Sequence, residues 1–168
     1  DNNDIKNVIN GFRNCSKAVC AAGFTGVQLH AAHGYLLSQF LSPRSNQRTD
    51  EWGGCLENRA RLLLECVRVV RDCLGPSVPI SVKLNSADFQ RGGFNFSESV
   101  QVAKWLEEST IDLLEISGGT YEQPRLLNLA GIEPIDHQGV SATSHAREAY
   151  FADFAEIMRK EVSIPLMV

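Results

Sequence analysis

The sequence has no apolar run approaching the roughly 20 residues that a membrane-spanning helix needs. It has no cluster of Lys and Arg, and its formal charge of −4 is spread along the chain, which argues against a nucleic-acid or anionic-membrane partner. Asp1-Asn2-Asn3-Asp4 lacks the basic-then-apolar pattern of a secretion signal, and no initiator Met precedes it, so the chain reads as a piece of a longer one. Cys15, Cys20, Cys55, Cys66 and Cys73 form no Cys-x-x-Cys pair, and an odd count without a secretion signal points to reduced thiols in the cytoplasm. Cys66 and Cys73 are seven apart, within reach of one helix face, and the cysteines read as small core hydrophobes. What is present is the composition of a globular domain: 43% apolar and 21% charged over 168 residues, ample for a core.

Periodicity divides the chain. Ile5, Val8, Ile9, Phe12, Cys15 and Val19 recur at spacings of three and four, which predicts a helix over 4–21 closed by Gly23. A strand is expected at 26–30, then a long loop over 31–54 with a turn of helix near 36–40; loops of that length are usually functional. Leu56, Ala60, Leu63, Leu64, Val67 and Val70 mark a helix over 56–74 that Gly75-Pro76 ends. A strand at 79–84, a polar loop over 85–95, a helix to about 109 with Ser97 as its N-cap, and a strand at 111–116 follow. Residues 118–144 are broken by Pro124, Gly131, Pro134 and Gly139, before a helix over 145–161 and a strand at 164–168.

Strands alternating with amphipathic helices imply a parallel sheet with crossover helices. Either a doubly wound sheet or part of a (β/α)8 barrel fits, and in both function gathers at the carboxyl ends of the strands. No Gly-x-Gly-x-x-Gly follows the first strand, which favours the barrel. A whole barrel takes about 250 residues. Residues 1–168 therefore read as one incomplete TIM-barrel segment.

The polar strand exits are His30–Tyr35, Lys83–Asp88 and Ser117–Thr120. His30 and His33 leave one strand end together, and two imidazoles converging on a carbonyl oxygen would polarise it. Tyr35 is placed to act as a general acid. Structural histidines lining a turn are the plainer alternative, and a His-x-x-His metal site lacks a third ligand, with Asp88 or Glu115 as guesses. Lys83 either stabilises an electron-rich cofactor or reaches to solvent. Arg48, Asp50, Glu57, Asn58, Arg59 and Arg61 read as an ion-paired loop brace with a helix-start cap.

Three blocks of sequence, His30-Ala-Ala-His33-Gly-Tyr35-Leu-Leu-Ser-Gln-Phe-Leu-Ser-Pro, Asn46-Gln-Arg-Thr-Asp-Glu-Trp-Gly-Gly and Glu57-Asn-Arg-Ala-Arg61, resemble the old yellow enzyme family. The likeness continues through Val82-Lys83-Leu84-Asn85, Ile116-Ser117-Gly118-Gly119-Thr120-Tyr121 and Arg147-Glu-Ala-Tyr-Phe. It implies an eight-stranded TIM barrel of which this chain supplies the fourth to seventh strands. It also implies FMN reduced by NAD(P)H, with hydride passing to the β-carbon of a small activated alkene, the partner expected here. His30 and His33 would hold the substrate's carbonyl or nitro oxygen, Tyr35 would protonate the α-carbon, and Lys83 would sit near the flavin N1 and O2 edge.

Lys83 stands where many members of that family carry arginine, the better bidentate partner. Trp52 and Cys55 replace a frequent tyrosine and serine. The family's phosphate cradle follows its seventh and eighth strands, so these 168 residues alone are expected neither to hold FMN tightly nor to turn over. Two other functions compete: a truncated interaction module pairing through open edges and apolar faces, and a metal-dependent barrel hydrolase using His30 and His33. The oligomeric state is open, a homo-oligomer included.

Overall fold

The computed structural model describes residues 1–121 and 151–168. Helix α1 (Asn2–Ala21) opens on Asp1, whose side chain accepts from the Asn3 and Asp4 amides. Strand β1 (Val27–Ala31) leads into a short helix α2 (Leu36–Leu41) and then α3 (Leu56–Leu74). Strand β2 (Ile80–Asn85), α4 (Phe96–Glu108), β3 (Leu113–Ser117), α5 (Ala152–Glu161) and β4 (Leu166–Met167) complete the order. The strands pair in parallel in the sequence β1-β2-β3-β4, so each crossover moves one strand along. The expected irregular stretch from 122 onward and the first residues of the last helix, 145–150, lie outside the described residues.

The two faces of the sheet differ because side chains alternate along each strand. Leu29, Ala31, Ile80, Val82, Leu84, Leu114 and Ile116 point into the helices and are buried with them. Each of the buried Leu, Ile and Val side chains contributes about 1.5–3 kcal/mol. Gln28, His30, Ser81, Lys83, Asn85, Glu115 and Ser117 take the opposite parity. The apolar open face expected for an interaction module is thus, on the described strands, mainly polar.

Helix α3 buries more than the single expected stripe. Leu62, Cys66 and Val69 are covered as well as Ala60, Leu63, Val67 and Val70, because α3 packs against α1, α2 and α4 and shares one apolar core with the strands. Burial pushes the Cys66 thiol up to about 12, so it behaves as a hydrophobe. Cys15 and Cys55 are exposed, contrary to the core role expected of them, and in α1 Ser16 takes the buried position that the spacing assigned to Cys15.

The N-cap of α4 is Asn95 and not Ser97. Asn95 accepts from the Glu98 amide while Glu98 Oε2 accepts from the Asn95 amide at 3.2 Å, a reciprocal capping box. The Asn95-x-x-Glu98 spacing carries that signal; Ser97 instead donates to Asn95 Oδ1.

Candidate active site

Beyond Ala31 the chain turns sharply, with His33 at φ 63° and Gly34 at φ 80°. A non-glycine residue in that left-handed region costs about 1–3 kcal/mol and persists only when its surroundings hold it. His33 is held three ways. Its N–H donates to Asn85 Oδ1 at 3.1 Å, its Nε2 lies 2.6 Å from Ser117 Oγ, and its backbone bridges Thr120. Gly34 suits the turn because a Cβ there would meet Thr120 Cβ at 3.3 Å as well as a positive φ. The turn brings Tyr35 back over His30, with ring centroids 5.0 Å apart, and the His30 and His33 rings meet edge-on at 5.1 Å. His30, His33 and Tyr35 therefore stand together at one strand exit.

Hydrogen bonding distinguishes the imidazoles. His30 Nδ1 accepts from the Ala32 N–H at 3.2 Å, which puts the proton of the neutral ring on Nε2. His33 Nε2 is engaged by Ser117, so His33 can donate to a ligand only through Nδ1, with Ser117 donating to Nε2. Burial, then the nearby Lys83 ammonium, lower both histidines below the ordinary imidazole value, with Glu115 pulling the other way. Neutral imidazoles that donate one N–H each are thus favoured at neutral pH. Tyr35 is 46% exposed, and its hydroxyl lies 2.7 Å from that of Tyr121. That pairing raises the phenol above its usual value. Tyr121 ends the Ser117–Tyr121 block, and only the fold brings it to Tyr35, 86 residues away along the chain.

Lys83 neither reaches to open solvent nor stands alone. Its Nζ is 2.8 Å from Glu115 Oε1, while Gln28 Nε2 donates to Glu115 Oε2 at 2.8 Å. Glu115 and Asp88, the two guessed metal ligands, are both engaged by neighbours. Asp88 accepts from Asn85 Nδ2 at 3.0 Å and from the Phe94 amide at 3.1 Å. Among the described residues no group of three His, Cys, Asp or Glu side chains is arranged to hold a metal ion.

Asn85 is the residue that sequence reasoning passed over. It is 1% exposed and joins all three strand exits: Oδ1 accepts from His33, and Nδ2 donates to Asp88 and to the Gly119 carbonyl at 2.9 Å. Only a side-chain amide offers an acceptor and two donors here. Asn85→Asp would set a carboxylate against Asp88, whose own carboxyl burial already raises, and against a carbonyl. We expect a loss of about 1–3 kcal/mol at neutral pH. The new carboxyl's folded-state pKa would lie above its unfolded value, so the deficit should shrink as pH falls through that folded value. Urea unfolding at pH 5 and pH 7.5 checks this; a deficit independent of pH would rule out carboxylate repulsion as its cause.

The loop between α2 and α3 is braced as expected. Arg48 pairs with Asp50, Arg61 donates to the Glu51 carbonyl at 2.7 Å, and Asn46 Nδ2 spans the Phe40 and Trp52 carbonyls at 2.8 and 2.7 Å. Arg59, 5% exposed, donates to the Leu41 and Gly54 carbonyls and pairs with Glu98 of α4.

Residues 1–125 match the family described as NADH:flavin oxidoreductase / NADH oxidase. The chain belongs to this family. An NADH-dependent flavin oxidoreductase of Aspergillus parasiticus is 41% identical over 154 residues, covering 92% of this chain and 33% of its own. Among solved structures, a 2-naphthoyl-CoA reductase complex superposes with a TM-score of 0.84 at 32% identity, over 99% of this chain and 23% of that one. An old yellow enzyme homologue of Zymomonas mobilis gives 0.71 at 25%, over 98% and 41%. The chain thus spans less than half the length of these relatives. The four parallel strands are part of a TIM barrel, with its helices on the outside and the polar face within.

Membership in the NADH:flavin oxidoreductase family implies FMN as the cofactor, and its relatives are named as NADH- or NADPH-dependent. The inner face fits the ring end of such a group. Lys83 is 25% exposed there and uses one of its three N–H donors on Glu115, leaving others for a flavin's pyrimidine acceptors. No helix among the described residues is long and apolar enough to cross a membrane.

Proposed function

We propose that the complete protein is an ene-reductase: it reduces the alkene of a small α,β-unsaturated carbonyl compound, and this chain supplies the fourth to seventh strands of its barrel. The observation that carries the reading is the convergence of His30, His33 and Tyr35 at the β1 exit, on the side of the sheet that also carries Lys83. FMN, when bound, supplies the hydride that NAD(P)H provides.

The chain's own residues do the rest. His30 Nε2–H and His33 Nδ1–H donate to the substrate's carbonyl oxygen, polarising the conjugated alkene so that its β-carbon becomes electron-poor. Tyr35 delivers a proton from its hydroxyl to the α-carbon. Tyr121, 73% exposed and 2.7 Å from Tyr35, links that hydroxyl to solvent and offers a path for reprotonation. Lys83 would hold the flavin near its N1 and O2 edge, where a positive charge stabilises the anionic reduced form. The five cysteines form no disulfide, which agrees with a cytoplasmic setting.

The test uses phenols as oxygen-bearing probes of the clamp. Titrated into the FMN-loaded full-length protein, a phenol should perturb the flavin spectrum, and His30→Ala should weaken its binding by about tenfold, the loss of roughly 1.4 kcal/mol expected for one hydrogen-bond donor. Unchanged affinity in the variant would refute the clamp.

A further inference from the structure

Glu115 belongs to none of the roles above, yet it is held more tightly than a chance surface carboxylate. The parallel register aligns His30, Lys83 and Glu115 on one rung across β1, β2 and β3. Glu115 Oε1 receives Lys83 from β2, and Oε2 receives Gln28 from β1, each at 2.8 Å. Lys83 and Glu115 are 25% and 18% exposed, too enclosed for a freely solvated pair. A lysine has a flexible four-carbon stem and a compact charge, so without a tether its ammonium would sample many positions.

We propose that Glu115, anchored by Gln28, is the positioning residue for Lys83: it fixes the ammonium on the inner face and offsets its charge toward whatever electron-rich group binds there. The tether is a property of this chain alone; its effect on a flavin rests on the function proposed above. An arginine brings its own planar fork to an acceptor, whereas this lysine obtains a fixed direction from a carboxylate on the neighbouring strand. The offset matters for the imidazoles too. Lys83 depresses both histidines and Glu115 counters it; among the described residues, His30, His33 and Tyr35 are the other titratable groups in the cluster.

Two readouts separate the tether from the flavin. In the apo full-length protein, NMR titration should show the His30 imidazole moving down in Glu115→Gln and up in Lys83→Met. In the FMN-loaded protein, Glu115→Gln exposes an unbalanced ammonium, which favours the anionic reduced flavin. Its binding relative to oxidised flavin should improve by about tenfold, or about 30 mV for a two-electron couple. Lys83→Met should shift the potential the other way, and the Lys83→Met/Glu115→Gln double variant, again neutral, should return toward wild type. Glu115→Asp keeps the charge on a shorter stem and should stay nearer wild type than Glu115→Gln in both measurements. Unmoved histidine titrations overturn the tether whether or not FMN binds. Shifted titrations with an unmoved potential overturn the effect on the flavin while leaving the tether. A wild-type protein that binds no FMN refutes the flavin reading, and the histidines then decide the tether by themselves.

Discussion

Tyr35→Phe in the full-length protein is expected to leave flavin reduction by NAD(P)H near the wild-type rate and to slow reoxidation by an activated alkene by about 10²- to 10⁴-fold, the range for a positioned general acid. The substitution removes one hydroxyl and keeps the ring that packs edge-on against His30. It leaves the imidazole pair, Asn85 and Ser117 in place, so binding of a phenol probe should change little. Anaerobic stopped-flow measurement of the two half-reactions separates these effects. Equal slowing of both would mean that Tyr35 shapes the flavin site and does not donate the proton. Wild-type rates in both would remove it from the chemistry altogether.

The largest effect on stability is expected at Arg59. Arg59→Ala would strip donors from the Leu41 and Gly54 carbonyls and leave Glu98 without its cation. Breaking a buried pair from one side costs about 3–5 kcal/mol. Glu98 also closes the capping box of α4, so an unpaired carboxylate there disturbs a helix start as well as a loop. Arg59→Lys should recover only part of the loss, because one ammonium cannot reproduce a fork that reaches two carbonyls and a carboxylate. Urea unfolding of the three proteins measures this. A loss below about 1 kcal/mol for Arg59→Ala would place the pair with the weak surface bridges.

The elements were readable from period and punctuation. Leu56 to Val70 at helical spacing, Gly75 at the stop and the apolar cores of β1, β2 and β3 required no knowledge of the third dimension. The proposed site cluster was readable for a related reason: His30, His33 and Tyr35 lie within six positions, so local geometry alone brings them together. Lys83 was half readable. Its place on a strand signalled an inward cation, but its partner sits 32 residues away on β3, and only strand register selects Glu115 over other acids. Asn85 was hidden for the same reason, since its three partners come from three strand exits. The start of α4 differs from the expected one for another reason: the Asn95-x-x-Glu98 box begins two residues earlier, which puts Ser97 inside the helix.

The rung formed by His30, Lys83 and Glu115 also acts as a proofreader of strand pairing. Side chains alternate with a period of two, so a one-residue slip of β2 would drive Lys83 into the helix layer and turn Val82 and Leu84 toward the polar interior. It would part the ammonium from its carboxylate and desolvate the charge in the same move. A wrong alignment is therefore penalised on both faces at once, and the group proposed to meet the cofactor also keeps the three strands in step before any cofactor arrives.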